Sequence, residues 1–312
     1  MLARLSAFTC GFAAAIIAAA ASVSAQRPAT AHDPAAFRGG VDLVTLDVCV
    51  KGRDGSSGLE LNPQDFLVLE NNIPQRISLF SAEGHVPLAV SLLIDNSQSM
   101  SGARLDRAQA AAASLVDLLR PDDLVETITF NSHPEIRYRL GPDRNTARAS
   151  VRGIAAGGLT ALYEAALVAL RNQQHALRGG VDQYRRVLIV LTDGENTAGS
   201  VTFDEVLDEV HRGGALVYVV SLRTDKDDAA TAPLWEMSRL AHDTGGVAVA
   251  VHDLENLTPI YQDIGRELLH LYRLGYVPAP LTSDGSWRNI AVRVSSGDLV
   301  VRTRTGYYAP QR

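Results

Sequence analysis

Asp95, Ser97 and Ser99 stand at i, i+2 and i+4, directly after the apolar run Leu88–Ile94. One carboxylate and two hydroxyls on a loop that leaves a buried strand supply part of the oxygen shell a hard divalent cation takes. Mg²⁺ prefers a near-octahedral set of oxygens at roughly 2.0–2.1 Å and usually keeps some waters among them. Two further segments carry donors of the same kind. Gly157-Gly158-Leu159-Thr160 opens an apolar helical pattern with a hydroxyl, and the run Val187–Leu191 ends in Thr192-Asp193-Gly194. Two carboxylates brought together without a cation raise one another's pKa, a penalty that an ion removes. With neutral hydroxyls as the remaining donors, and Asp193 acting directly or through water, such an ion stays electrophilic toward an external carboxylate.

These loops need elements to hold them. From Pro87 onward the pattern alternates: strands are expected at 88–94, 124–130, 135–140, 186–192, 215–222 and 247–251. Helices are expected at 103–120, 144–154, 160–177, 203–212, 232–243 and 254–270. Val187–Leu191 and Leu216–Val220 are continuously apolar, as in strands covered on both faces. The fold class is therefore α/β, a doubly wound, mostly parallel, Rossmann-like sheet with helices on both faces. Such sheets bind ligands outside the carboxyl ends of their strands, where Asp95 and Asp193 both fall. Residues 41–86 read as β structure, with a hairpin running from Phe66–Glu70 through Asn71-Asn72 into Ile73–Phe80. The β signal returns over 271–312, at Tyr272–Val277, Trp287–Val294 and Leu299–Thr303. No such strand is stable alone, so the two terminal segments are expected to pack as one small β-sandwich into which an α/β domain, 87–270, is inserted.

Composition narrows the function. At 312 residues, 46% apolar and 21% charged, the chain is globular and long for one domain. Met1–Ala25 carries Arg4 as its single charge, then an apolar stretch closing on Val23-Ser24-Ala25, and reads as a secretory signal peptide. Its apolar core is short of the roughly 20 residues a membrane span needs, so no membrane insertion is expected after cleavage. Residues 26–40 read as a linker. The expected location is outside the cytoplasm: periplasmic, cell-envelope or secreted. Loss of the leader leaves Cys49 as the one cysteine, which excludes an intramolecular disulfide. The net charge of −6, without a basic run, gives no support to nucleic acid as the partner, and none is expected. The eight histidines form no H-E-x-x-H, and no C-x-x-C, G-x-S-x-G or P-loop is present. Asp122-Asp123 reads as turn chemistry, Glu195 as solvated and Tyr307-Tyr308 as an anchoring aromatic pair.

The Asp95-x-Ser97-x-Ser99 loop, Thr160 within Gly-Gly-Leu-Thr-Ala-Leu-Tyr, and Thr192-Asp193-Gly194, in this order and on these elements, resemble the von Willebrand factor type A (VWFA) domain over roughly residues 87–270. In that family these positions form the metal-ion-dependent adhesion site. The resemblance implies that Asp95, Ser97, Ser99, Thr160 and Asp193 are ligands, direct or through water, of Mg²⁺ or another divalent cation such as Mn²⁺ or Ca²⁺. The Gly58–Ser81 region and the closing Arg304-Thr305-Gly306-Tyr307-Tyr308 are also similar to bacterial exported proteins with a type A-related domain. Some adhesive receptors carry an acidic pair after the first loop for a second ion. Met100-Ser-Gly-Ala-Arg104 stands here instead, so one metal is expected. The implied function is a non-enzymatic, adhesion-type module that captures an acidic residue of a protein partner. The alternative is a scaffold subunit of a cell-envelope assembly whose ion orders the loops. Against an enzyme, the motif loops hold no candidate base, and Ser97 stands where a second carboxylate would serve metal-assisted hydrolysis.

Overall fold

The apolar runs in the middle of the chain become strands with almost no exposed residue. All eight residues of Leu88–Asp95 and all eight of Arg185–Thr192 are buried, as strands covered by helices on both faces must be. The computed structural model describes residues 43–56, 59–82, 86–178, 180, 183–222, 232–295 and 298–311. The expected signal peptide, 1–25, and linker, 26–40, lie outside them.

In chain order the elements are β1 (Val44–Gly52), β2 (Phe66–Glu70), β3 (Ile73–Gln75), β4 (Ile77–Ser81), β5 (Leu88–Asp95), α1 (Ala103–Leu118), β6 (Leu124–Phe130), β7 (Pro134–Gly141), α2 (Arg144–Ser150) and α3 (Leu162–Ala176). There follow β8 (Arg185–Thr192), α4 (Phe203–Gly213), β9 (Leu216–Leu222), α5 (Ala232–Thr244), β10 (Ala248–Val251), α6 (Leu257–Leu269), β11 (Tyr272–Tyr276), β12 (Trp287–Val294), β13 (Leu299–Arg302) and β14 (Gly306–Tyr308).

One sheet of six strands has the order β10-β9-β8-β5-β6-β7 and is parallel except for the edge strand β7. One face packs Val90, Leu92, Val187 and Tyr218 against α1, α2 and α6 through Leu115, Ala147 and Leu268. The opposite face packs Leu93, Ile128, Val190 and Val219 against α3, α4 and α5 through Ala166, Val206 and Leu240. This is the doubly wound α/β architecture expected. The chain leaves β5 toward α1 on the first face and β8 toward α4 on the second. The carboxyl ends of these adjacent strands therefore form the crevice where such sheets bind ligands.

The terminal segments form two four-stranded sheets, β13-β1-β11-β4 and β14-β12-β2-β3. Leu46, Val48, Tyr272 and Leu274 of the first meet Phe66, Val68, Ile290 and Tyr307 of the second in one apolar core, the expected sandwich. The stretch Ile73–Phe80 is not a single strand, however. Asn71 and Asn72 turn with φ of 48° and 66°, the left-handed pair that two-residue hairpins require, and β3 returns along β2. At Arg76 the chain then changes sheets, so that β4 pairs with β11 instead. Helix boundaries also move inward. α2 stops at Ser150, ahead of Gly153 with its φ of 64°. α6 starts at Leu257, after a single 3-10 turn at Leu254–Asn256 capped by Asp253.

Candidate metal centre

Asp95 is the last residue of β5 and is fully buried. Its Oδ1 accepts from the Ser97 amide at 2.8 Å and its Oδ2 from the Thr192 hydroxyl at 2.7 Å. No basic side chain forms an ion pair with it among the described residues. Burial pushes the Asp95 carboxyl above its ordinary value, and the nearby Asp193 charge adds to the rise, while hydrogen bonds from Ser97 and Thr192 oppose it. A single 3-10 turn, Gln98–Met100, lets the loop double back. The Ser97 and Ser99 hydroxyls come within 3.1 Å of each other, and Ser99 donates to Asp193 Oδ1 at 2.7 Å. Four of the five residues thus form one chain of contacts: Asp95 through the Ser97 backbone, Ser97 to Ser99, and Ser99 to Asp193.

The second loop is zipped onto the first by backbone. Gly157 donates to the Asn96 carbonyl at 2.9 Å, and Gln98 to the Gly158 carbonyl at 3.1 Å. Gly158 has a φ of 80°, and a Cβ there would lie 2.7 Å from the Ser132 hydroxyl, so the close approach needs glycine twice over. Thr160 is tied to the third loop. Its carbonyl accepts from Thr197 and Ala198 at 2.8 and 3.1 Å, and its amide donates to the Thr197 hydroxyl at 3.0 Å. Thr160 is not the cap of α3; that position is Ala161. Its hydroxyl makes no hydrogen bond to a described residue.

The donor set fits a small hard cation. It offers the buried Asp95 carboxylate, which lacks a positive partner, the Ser97 and Ser99 hydroxyls and the Asp193 carboxylate linked to it, and a third hydroxyl on Thr160 that no hydrogen bond ties to the other four, a combination that suits Mg²⁺ or Mn²⁺ and not a soft metal. Among the described residues no group of three or more His, Cys, Asp and Glu side chains is gathered, so hydroxyls carry the rest of the set. Two participants were missed in the sequence. Thr192 holds Asp95 in place, and its position at the end of β8, next to Asp193, was the available signal. Arg104, in the first turn of α1, places one amino group 2.6 Å from Asp193 Oδ2 and 3.2 Å from the Ser99 carbonyl. Glu195 is exposed, as expected.

A doubly wound sheet carrying three oxygen-bearing loops at its β5/β8 crevice defines an α/β domain with a candidate ion site at the carboxyl ends of its strands. Residues 90–263 match the von Willebrand factor type A domain, and the chain belongs to that family. Its members are generally protein-interaction modules and commonly bind a divalent ion at this place. The chain is similar to human inter-alpha-trypsin inhibitor heavy chain H4, at 27% identity over 241 residues, covering 72% of this chain and 25% of that one. It is likewise similar to the bovine heavy chain H4, at 25% identity over 242 residues with the same coverage of 72% and 25%. The match thus spans about a quarter of the length of these relatives. A solved structure, von Willebrand factor type A from Catenulispora acidiphila, aligns with 88% of this chain and 75% of its own, with a TM-score of 0.52 and 11% identity. That likeness is one of fold.

Proposed function

We propose that the chain is an exported, non-enzymatic protein-binding module whose single divalent ion, Mg²⁺ or a similar cation, is held by Asp95, Ser97, Ser99, Thr160 and Asp193. The observation that carries this reading is the buried Asp95 carboxylate, without a cationic partner, linked through the two serine hydroxyls to Asp193 at the sheet's crevice. The ion would supply an electrophilic position for a carboxylate of a protein partner. The chain's own part is to hold the oxygens rigidly, with Thr192 fixing Asp95 and the Gly157–Gly158 backbone fixing the first loop. Export rests on the apolar leader Met1–Ala25. Among the described residues no helix is long and apolar enough to cross a membrane.

Isothermal titration with Mg²⁺ and Mn²⁺ is expected to give one saturable site in the wild-type chain and none in Asp95→Ala. Pull-down from the exporting cell's envelope extract is then expected to recover a partner that is lost on chelation and with Asp95→Ala. Partner capture that survives both treatments overturns the metal-bridged reading. If chelation lowers the melting temperature and leaves capture intact, the ion orders loops in a scaffold subunit.

A further inference from the structure

The seam between the sandwich and the α/β sheet encloses a cavity of about 300 Å³. Arginine is charged at every physiological pH, and a buried guanidinium is costly unless an anion faces it. Most arginines near this seam obey that rule. Arg273 meets Asp47 at 3.0 Å, Arg185 meets the same carboxylate at 2.9 Å, and Arg302 meets Glu267 at 2.6 Å. Arg304 and Arg186 break it. Among the described residues neither has a carboxylate at ion-pair distance. Arg186 hydrogen bonds only to neutral oxygens: the Gly213 carbonyl at 2.8 Å, the Leu170 carbonyl at 2.9 Å and Gln173 Oε1 at 3.3 Å. The Nε of Arg304 is buried without an acceptor among the described residues, and its guanidinium lies 5.3 Å from the centre of the Tyr307 ring.

Both charges reach the same cavity. A Cβ placed on Gly213 would lie 2.9 Å from an amino group of Arg186, and one on Gly214 would lie 3.4 Å from an amino group of Arg304. The two guanidiniums therefore flank this glycine pair on the cavity wall. His211 lines the same space, its Nε2 buried without a hydrogen bond to a described residue and 3.8 Å from Asp243 Oδ2. The two carboxylates on the lining already face other cations, Asp47 pairing with Arg185 and Arg273, and Asp243 lying 3.6 Å from Arg239. The remaining wall is mixed: Tyr307, Tyr308, Pro278 and Leu281 give it an aromatic and apolar side, and Thr45, Thr244 and Thr282 add polar groups. A volume of this size suits a small molecule.

We propose that this cavity binds a small organic acid, with Arg304 and Arg186 receiving its carboxylate and the tyrosine and proline wall receiving its apolar body. The site is separate from the ion centre, since it opens at the amino-terminal ends of the parallel strands, and it does not depend on the function proposed above.

The test is titration calorimetry on the full chain in low-salt buffer with benzoate, hexanoate, inorganic phosphate and benzyl alcohol as probes. At least one of the two carboxylates is expected to bind saturably with a Kd of about 1 mM or tighter. Phosphate should bind at least about tenfold more weakly and benzyl alcohol not measurably. Arg304→Met should weaken the carboxylate about tenfold or more, and Arg304→Lys several-fold, because a point charge lacks the planar fork. Asp95→Ala should bind it as wild type does. In anion-free buffer Arg304→Met should melt at or above the wild-type temperature, since it removes an uncompensated buried charge. Lack of saturable binding by both carboxylates up to about 10 mM, equal affinity in Arg304→Met, or phosphate binding as tightly as the carboxylates overturns the proposal. So does an Arg304→Met chain that melts well below wild type without anion, which makes the arginine a structural group.

Discussion

At the scale of single residues, the proposed ion centre is marked by an imbalance between its two carboxylates. Asp95 is buried with hydroxyl and amide donors only, whereas Asp193 already holds a cation, the guanidinium of Arg104 at 2.6 Å. Arg104 occupies an Asp193 oxygen and places a positive charge beside the position a divalent ion would take. Even at the dielectric constant of water, a single and a double positive charge about 5 Å apart repel by roughly 1–2 kcal/mol. Arg104→Gln is therefore expected to tighten Mn²⁺ binding about tenfold, read by titration calorimetry; weakened binding would show instead that Arg104 positions Asp193 for the ion. Asp95 gives the opposite kind of test. Asn in its place keeps the shape and removes the buried charge, so metal-free Asp95→Asn should melt at or above the metal-free wild type. Saturating Mg²⁺ should raise the melting temperature of the wild type and leave that of Asp95→Asn unmoved.

At the scale of elements, what holds a strand end in place is often a polar group from far along the chain. Asp123 precedes β6 and is buried. One of its oxygens accepts from the Arg120 amide at 2.7 Å and closes the turn after α1. The other accepts from the Leu88 amide at 2.8 Å, thirty-five residues upstream, and so fixes the start of β5. Asp123→Ala removes two hydrogen bonds to a charged acceptor and orphans a buried amide, a loss of about 2–4 kcal/mol that urea unfolding at neutral pH would register; a loss under about 0.5 kcal/mol would mean that water replaces the carboxylate. The sequence alone marked Asp122-Asp123 as a turn, because turn chemistry is local, but not the Leu88 partner, because pairing is not. The same division runs through the whole chain. Continuous apolar runs at β5, β8 and β9 were legible as covered parallel strands. The sheet change at Arg76 was not, since the strand-like pattern continues across it and the partner strands decide the break. In the ion centre the three loops were legible from residue type and order. Arg104 was read only as the absence of an acidic pair, because its role depends on where α1 places its first turn.

At the scale of the whole molecule, buried ion pairs fix the sandwich to the α/β part, Glu267 of α6 with Arg302 and Lys51 at one point and Asp47 at another, by the amino-terminal end of the parallel sheet. Asp47 of β1 receives Nε of Arg185, from the start of β8, at 2.9 Å, and Nε of Arg273, from β11, at 3.0 Å. Arg185 also donates to the carbonyls of Leu268 and Leu271 at 3.2 and 3.1 Å, where α6 hands over to the sandwich. Burial alone would push the Asp47 carboxyl up, but the two guanidiniums outweigh it and hold its pKa at about 2, below the ordinary 3.8. A carboxyl whose pKa is lower in the folded than in the unfolded chain stabilises the fold above the unfolded value, and that contribution is lost as pH falls from about 4 toward 2. Its size is roughly 2 kcal/mol. Asp47→Asn should flatten this part of the stability profile between pH 4 and 2. At pH 7 it should cost about 3–5 kcal/mol, because Arg185 and Arg273 lose their shared anion. Urea unfolding of the two chains across that pH range checks both, and a profile as steep in the variant as in the wild type would assign the acid sensitivity to other carboxylates. The length of β8 places this lock about 25 Å from Asp193. Any Asp47→Asn chain that remains folded should therefore bind Mn²⁺ with wild-type affinity, which would separate the seam's work of holding the two parts together from the ion binding proposed for the crevice.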